Sequence, residues 1–409
     1  MTLQDQTTFR MPKSGARRRG LSAMVLRFLG SRLIRGRLHV VMPDGERIDI
    51  RAKHPGTEAT LEIHRWRALR RLAIGGDLGL AEAYIDGDWS SPDVCALLTL
   101  GGENIAALDG LYSGLSISRF ADRLRHLVNR NSRTGSRRNI SFHYDLGNDF
   151  YRLWLDDSMT YSSALFASPD MALEAAQEAK IAEIARRLDL KGGEHVLEIG
   201  SGWGALAIHI ARLGAHVTTI TLSAEQYAHV RDLVARENLK GSVDVRLQDY
   251  RDLDGQFDRV VSIEMLEAVG EAYWRTYFDK LRHCLKPNGK AVLQVITIHE
   301  NRYEGYRRGA DFIQRYVFPG GMLPTVPIIR DKAGASGLEL AAEFRFGESY
   351  ALTLSEWKRR FTAQWPAIAS QGFDQRFKRL WDYYLDYCEA GFRLGLIDVG
   401  LYELRNRLA

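Results

Sequence analysis

Helical and strand patterns alternate along the chain from Met171 to about residue 298. The predicted strands are HVLEIG (195–200), HVTTITL (216–222), VDVRLQD (243–249), FDRVVSIEML (257–266) and KAVLQVITI (290–298). The predicted helices cover 171–190, 205–214, 224–239 and about 272–284. Such alternation requires a mostly parallel sheet with helices on both faces. We therefore predict a doubly wound α/β domain.

A glycine-rich turn follows the first of these strands. Gly200, Gly202 and Gly204 come directly after residues 196–199, at the carboxyl end of the strand. In an open α/β sheet this edge binds ligands, and glycine lets the backbone approach a ligand closely. The spacing is G-x-G-x-G, which differs from the G-x-G-x-x-G of dinucleotide sites. The acid before the glycines, Glu198, suits a cationic sulfonium better than a pyrophosphate.

Polar groups also follow the second and third strands. Residues 221–226 (TLSAEQ) supply hydroxyl, backbone and amide groups where nicotinamide enzymes carry an acid for the ribose. Residues 249–251 place an acid beside an aromatic ring, as adenine recognition would use. Any one of these groups alone would more often be a helix cap. Together they indicate S-adenosylmethionine, and the predicted cofactor-binding residues are Glu198, Gly200, Gly202, Thr221, Leu222, Gln226, Asp249, Tyr250 and Arg251.

Length and charge divide the rest of the chain. At 409 residues it exceeds one average domain of roughly 150 residues. Residues 1–36 form a basic arm, with no acid between Asp5 and Asp44 and with apolar residues near helical spacing. This arm either lies on anionic lipid or packs on its own domain, and a transit peptide is a third interpretation. Residues 37–117 are typical of a small mixed α+β domain, and residues 118–140 of a basic linker.

Composition argues against several other classes of protein. No apolar stretch approaches the ~20 residues that cross a bilayer. Cys95, Cys284 and Cys388 are far apart and lack the spacing of metal ligands or a redox pair, so we predict no metal site and a cytoplasmic location. No RNA-binding signature accompanies the basic arm, so nucleic acid is not an expected partner.

Further segments extend the pattern beyond the cofactor motifs. They are HYDLGNDF (143–150), TYS (160–162), LEIGSGWG (197–204), TLSAEQ (221–226), QDYRD (248–252), FDRVVSIEMLEAVG (257–270), FIQRYVFPGG (312–321) and FKRLWDYYLDYCEAGF (377–392). With these segments the sequence resembles the cyclopropane-fatty-acyl-phospholipid synthase family, which includes bacterial and plant lipid enzymes and the mycolic-acid methyltransferases. The resemblance runs from about Ile140 to the C-terminus, and more weakly through the N-terminal domain.

The resemblance implies a seven-stranded methyltransferase domain over 141–409, with a lipid-binding insertion near 299–325. It makes residues 37–117 a lipid-facing accessory domain, and it adds Tyr161 and Ser162 to the cofactor site. The implied partners are unsaturated phospholipid acyl chains at an anionic membrane surface. The implied location is peripheral, on the inner face of the membrane, and a homo-oligomer is compatible with the sequence.

The implied reaction is methyl transfer to a carbon–carbon double bond. An alkene is a poor nucleophile, so it must be held against the sulfonium methyl group and away from water. The transfer leaves a carbocation, which aromatic faces can stabilise. The predicted lipid-binding aromatic residues are Tyr303, Tyr306, Phe312, Tyr316 and Phe318.

A base must then remove a proton from the carbocation. The family uses a bound bicarbonate, held by Cys, Glu, His and Tyr side chains with help from the backbone. Glu267 and Tyr350 match this catalytic set, and Ile263 lies where the backbone would contribute. Ser163 and Gln294 stand in place of the Cys and the His. Both side chains can still hydrogen-bond an anion, so bicarbonate is part of the prediction.

The fate of the carbocation decides the product. Loss of a proton from the new methyl group closes a cyclopropane ring, which is the expected product, whereas loss from a neighbouring chain carbon leaves a methyl-branched unsaturated chain. A methyltransferase of small molecules or nucleic acid would have no need for the segment at 312–321. The changes at Ser163, Ala268 and Gln294 would also fit a lipid-binding pseudoenzyme.

Overall fold

The computed structural model describes residues 30–107 and 146–406, together with the backbone of residues 8–10. Most of the predicted basic arm and the whole predicted linker at 118–140 lie outside the described residues. Contacts divide the chain into two compact units. Unit 1 draws on Met1–Arg125, Gly309–Phe312 and Ala369–Leu394, and unit 2 draws on His126–Arg308, Ile313–Ile368 and Gly395–Ala409.

The described elements are numbered in chain order. The strands are β1 (Thr8–Arg10), β2 (Arg35–Val41), β3 (Arg47–Arg51), β4 (His54–Ile63), β5 (Trp89–Ser90), β6 (His195–Ile199), β7 (His216–Thr221), β8 (Val243–Leu247), β9 (Phe257–Ile263), β10 (Leu285–Ile298), β11 (Leu338–Arg345) and β12 (Ile397–Asn406). The helices are α1 (Arg67–Ile85), α2 (Val94–Glu103), α3 (Asn148–Arg152), α4 (Leu173–Leu188), α5 (Ala205–Arg212), α6 (Ala224–Arg236), α7 (Leu266–Val269), α8 (Trp274–Cys284), α9 (Glu300–Arg307), α10 (Phe312–Tyr316), α11 (Val326–Ala335), α12 (Gly347–Ala363), α13 (Trp365–Ser370) and α14 (Gln375–Arg393). Among these helices, none is long and apolar enough to span a membrane.

Unit 1 is built on a five-stranded sheet in the order β1-β3-β2-β4-β5. β2 pairs parallel with β4 and antiparallel with β3, so the sheet is mixed, and helices pack with it in the small α+β unit that the sequence predicts. The turn between β2 and β3 contains Gly45 at φ 84°, a conformation that glycine adopts readily. α1 bends at Gly76, whose φ of 58° and ψ of −135° are not helical. α14 packs against α1 and α2 within this unit.

Unit 2 contains a seven-stranded sheet in the order β11-β12-β10-β9-β6-β7-β8. The five strands from β10 to β8 are parallel, and β12 and β11 continue the sheet antiparallel at one edge. This arrangement confirms the predicted doubly wound, mostly parallel sheet. The parallel strands bring their carboxyl ends, and the loops that follow them, to one edge.

One strand is shorter than predicted, and the difference matters for the site. The sequence predicts a strand over 257–266, but β9 ends at Ile263. The next residue, Glu264, has φ 50°, a left-handed conformation that no extended strand can contain. The chain turns sharply there, and α7 begins at Leu266.

The amide side chain of Asn104 closes the end of α2 onto β2 in unit 1. Its Oδ1 accepts hydrogen bonds from the backbone amides of Ile34 (2.7 Å) and Arg35 (2.9 Å). Its Nδ2 donates to the carbonyl oxygens of Arg35 (3.0 Å) and Leu100 (2.8 Å). Asn104 is buried, so these backbone groups depend on it.

We expect Asn104→Ala to lower the free energy of unfolding by about 2–4 kcal/mol, because buried donors and acceptors lose their partner. Urea unfolding followed by circular dichroism measures this loss. Gln364→Ala removes an exposed amide side chain and should change stability by less than about 0.5 kcal/mol. Equal losses in the two variants would contradict a structural role for the Asn104 network.

Candidate active site

The glycine turn after β6 has the backbone shape of a ligand cradle. Gly200 and Gly202 have φ 95° and 51°, and the amides of Gly200 and Ser201 both donate to the carbonyl of Ile220. A Cβ at Gly200 would come within 2.8 Å of Met265, so only glycine fits. At Gly202, no described atom lies within 4 Å of the position a Cβ would take. The turn therefore leaves open space at the carboxyl end of β6.

Glu198 lies beneath this turn. Its side chain is buried and accepts a hydrogen bond from Thr219, its neighbour on β7. Burial raises the pKa of Glu198 to about 8, although the Thr219 hydroxyl and the Lys180 ammonium both oppose this rise. Its predicted role in cofactor binding stays a prediction.

At the ends of β7 and β8, the predicted cofactor-binding residues hydrogen-bond to one another. Thr221 donates its hydroxyl to Gln226 Oε1 (2.8 Å), and Leu222 lies between these residues in the chain. Asp249 accepts from Arg251 Nε (2.9 Å) and Nη2 (2.6 Å), and this guanidinium stands 5.5 Å from the centre of the Tyr250 ring. Because β6, β7 and β8 are neighbours, the predicted cofactor residues gather at one edge of the sheet.

A carboxylate that sequence reasoning missed forms the centre of the proposed catalytic set. Glu264 Oε1 accepts hydrogen bonds from the backbone amide of Ser163 (3.0 Å) and from Gln294 Nε2 (2.8 Å). Glu264 Oε2 accepts from the hydroxyl of Tyr350 (2.7 Å). Three residues expected to hold an inorganic anion therefore hold the carboxylate of Glu264. The sequence does contain a signal for this residue, since Glu264 is an acid directly after a strand rich in β-branched residues.

Glu267 lies three residues after Glu264, in α7. Its Oε1 accepts from the backbone amide of Ile296, while its buried Oε2 has no partner among the described residues. Desolvation first, and then the negative charge of Glu264, raise the pKa of Glu267 to about 8. Ile263, expected to contribute backbone here, lies in the β9–β10 ladder opposite Gln294, and its predicted role stays a prediction.

The segment that carries Tyr161 and Ser162 reaches the site from the side of α4. The hydroxyl of buried Ser162 accepts a hydrogen bond from Lys180 Nζ at 2.8 Å. The ring of Tyr161 packs against Trp357 and Tyr151, with centroid distances of 5.1 and 5.3 Å. A wall of aromatic rings thus adjoins the segment.

The predicted lipid-binding aromatic residues have different surroundings. Tyr303 donates its hydroxyl to Glu271 (3.2 Å), and Tyr306 packs on the hydrophobic core of unit 2. Phe312 belongs to unit 1, where its ring meets that of Tyr383 at 4.8 Å. Tyr316 lies under the guanidinium of its neighbour Arg315, and Phe318 is half-buried. Their role in lipid binding stays a prediction.

Comparison with known proteins agrees with this geometry. A family model described as mycolic acid cyclopropane synthetase matches residues 131–401. The tuberculostearic acid methyltransferase of Mycobacterium tuberculosis is 40% identical over 361 residues, which are 84% of this chain and 83% of that protein. The cyclopropane-fatty-acyl-phospholipid synthase of Escherichia coli K12 is 38% identical over 364 residues, 87% of each chain.

Solved structures show the same relationship. A mycolic acid cyclopropane synthase complexed with SAH and CTAB superposes with a TM-score of 0.62 at 32% identity, covering 66% of this chain and 98% of that one. A coclaurine N-methyltransferase, at 18% identity and a TM-score of 0.61, shares the fold. The chain belongs to the mycolic acid cyclopropane synthetase family, whose members have an S-adenosylmethionine-dependent methyltransferase fold, as the sequence motifs predicted.

Proposed function

We propose that this protein transfers the methyl group of S-adenosylmethionine to the double bond of an unsaturated phospholipid acyl chain, with the Glu264 carboxylate as the base. The observation that carries this proposal is the position of Glu264. Its two oxygens accept hydrogen bonds from Ser163, Gln294 and Tyr350, the groups that the family resemblance assigns to the base.

The residues present fit S-adenosylmethionine. The open space above Gly202 admits a ligand close to the backbone, and the neighbouring strand ends offer Thr221, Gln226 and Tyr250. A 32% identical relative was solved in complex with SAH, which supports the same kind of ligand here. When bound, the cofactor supplies an electrophilic methyl group on a sulfonium.

The residues present do not fit bicarbonate. The side chains of Gln294 and Tyr350 and the backbone amide of Ser163 already donate to the carboxylate of Glu264, and the Ser163 hydroxyl donates to the carbonyl of Ala164. A second anion beside this carboxylate would be repelled and would lack donors. The proposed mechanism therefore contains no bicarbonate step.

Glu264 acts after the methyl transfer. The alkene electron pair forms the new carbon–carbon bond, the sulfur keeps the electrons of the broken bond, and the acyl chain carries a carbocation. Glu264 accepts a proton, and the released C–H electron pair forms the last bond of the product. Desolvation raises the pKa of Glu264, while the hydrogen bonds from Ser163, Tyr350 and Gln294 and the charge of Lys180 lower it and favour the ionised form.

Two products follow from the proton that Glu264 removes. A cyclopropane ring is supported by the family model, which is described as a cyclopropane synthetase. A methyl-branched unsaturated chain is supported by a specific change in the site, because a fixed carboxylate with Ser163 and Gln294 replaces the family's anion-binding set. In both cases the substrate belongs to a phospholipid at an anionic membrane surface, on the inner face of the membrane.

We expect the purified protein to add one carbon to the acyl chains of dioleoyl phosphatidylglycerol vesicles when S-adenosylmethionine is present. Mass spectrometry of the released fatty acids detects this gain. Mild hydrogenation then separates the products, because it saturates a branched alkene and leaves a cyclopropane ring intact. Zwitterionic vesicles provide the control for surface charge. No gain of carbon on any unsaturated lipid, despite cofactor binding, would favour the pseudoenzyme.

We expect Glu264→Gln to lower kcat by about 10²–10⁴-fold, because an amide cannot accept the proton. Glu267, the acid that the family resemblance places in the catalytic set, gives the matched comparison Glu267→Gln, because we propose that Glu264 and not Glu267 removes the proton. The raised pKa keeps the Glu267 carboxyl neutral at neutral pH, so an amide imitates it and kcat should fall by less than about tenfold. Calorimetry should show unchanged cofactor affinity in both variants. Wild-type turnover in Glu264→Gln would disprove its role as the base.

Glu264→Gly offers a complementary test. Glycine tolerates the positive φ at this position, and the deletion leaves three hydrogen-bond donors around a cavity of carboxylate size. We expect low activity that added formate or bicarbonate restores in a saturable manner. The same salts should leave wild-type turnover unchanged. A failure of both anions to restore a folded, cofactor-binding variant would count against the carboxylate as the base.

A further inference from the structure

A lysine side chain is buried inside unit 2. Lys180 lies on α4 and is 2% exposed. A lysine is almost never buried without compensation, because the desolvation of an ammonium is costly. Its only hydrogen bond among the described residues is to Ser162 Oγ, at 2.8 Å. Burial lowers the pKa of Lys180 to about 8, so the side chain still carries a proton at neutral pH.

The compensation comes from carboxylates on other elements. Glu264 after β9 and Asp156 before the Tyr161 segment act on the ammonium through their charges, and Glu198 on β6 does so where it is ionised, above its pKa of about 8. The influence of Glu264 is the largest of the three. Asp156 is itself occupied, because it accepts hydrogen bonds from the backbone amides of Ser158 (2.9 Å) and Thr160 (3.1 Å). Lys180 therefore interacts electrostatically with acids from three separate parts of the chain around the proposed site.

The same helix also holds the backbone of the neighbouring segment. Gln177 lies three residues before Lys180, on the same face of α4. Its Nε2 donates to the carbonyls of Ser162 (2.9 Å) and Thr160 (3.3 Å). Ser163, the residue after Ser162, donates its backbone amide to the carboxylate of Glu264. A continuous path of hydrogen bonds thus joins α4 to the proposed base.

We propose that Lys180 is a positioning residue that fixes the segment carrying Tyr161 and Ser162 and keeps Glu264 ionised. This inference rests on the proposed function, since it assigns the electrostatic control of the same base. Lys180 contacts neither the acyl chain nor the reacting atoms in this role. It acts through its charge and through Ser162.

The groups around Glu264 show why this charge matters. Gln294 on β10, Tyr350 on α12 and the amide of Ser163 are neutral donors. Glu267 is an acid whose pKa is raised to about 8. Lys180 is the cation that opposes the rise in the pKa of Glu264. Removing it should therefore raise this pKa further and move the ionisation of the base to higher pH.

The test compares the pH dependence of kcat in Lys180→Gln, Lys180→Met and the wild type. A base works in its ionised form, so kcat rises with pH through the pKa of Glu264. In both variants we expect this rise to move to higher pH by roughly one unit, with kcat about tenfold lower on the acid side. Glutamine can still donate to Ser162, so Lys180→Gln should keep near-normal cofactor affinity, and Lys180→Met should lose more of it.

Gln177→Leu is the control for a purely structural role. It removes two hydrogen bonds to the segment and no charge, so kcat should fall without a change in the pH of the rise. Cofactor binding and thermal melting identify any variant that fails to fold, and Lys180→Gln serves if Lys180→Met does not fold. A normal pH profile in a folded Lys180→Gln would overturn this inference. An inactive wild type would instead overturn the proposed function.

Discussion

On the proposed mechanism, the site in unit 2 is organised around one constraint, a carboxylate that must ionise in a poorly solvated place. Glu264 satisfies it with three neutral hydrogen-bond donors and one distant ammonium. The donors come from a loop, a strand and a helix, so their geometry depends on the whole unit being folded. The positive φ of Glu264 marks the point where β9 ends and the chain turns towards α7.

Two neighbouring acids show how environment separates chemical roles. Glu264 and Glu267 are three residues apart, yet one accepts three hydrogen bonds and the other has an oxygen without a partner among the described residues. The charge of the first makes ionisation of the second harder. Pairs of carboxyl groups with separated pKa values are a common way to obtain a base and a neutral acid in one site.

The sequence was sufficient for the architecture of unit 2 and for the edge that carries the site. Strand and helix periods are local properties, and the glycine turn marks the carboxyl end of β6 whatever the tertiary contacts. Glu264 and Lys180 were missed because burial is not local. Lys180 lies in a helix rich in Glu and Ala, where a lysine normally faces solvent. Likewise, the backbone partner of Glu267 depends on how β9 and β10 lie side by side, which no motif specifies.

The proposed base is a side chain and not a dissolved ion, and this difference has a chemical consequence outside the protein. A dissolved anion must be captured before every reaction cycle can finish, so its concentration sets the fraction of competent enzyme. The Glu264 side chain is part of the chain, so the proposed base is present in every molecule. On the proposed mechanism, lipid methylation by this protein is therefore uncoupled from dissolved carbon dioxide, and its rate follows the supply of methyl donor and of unsaturated chains alone.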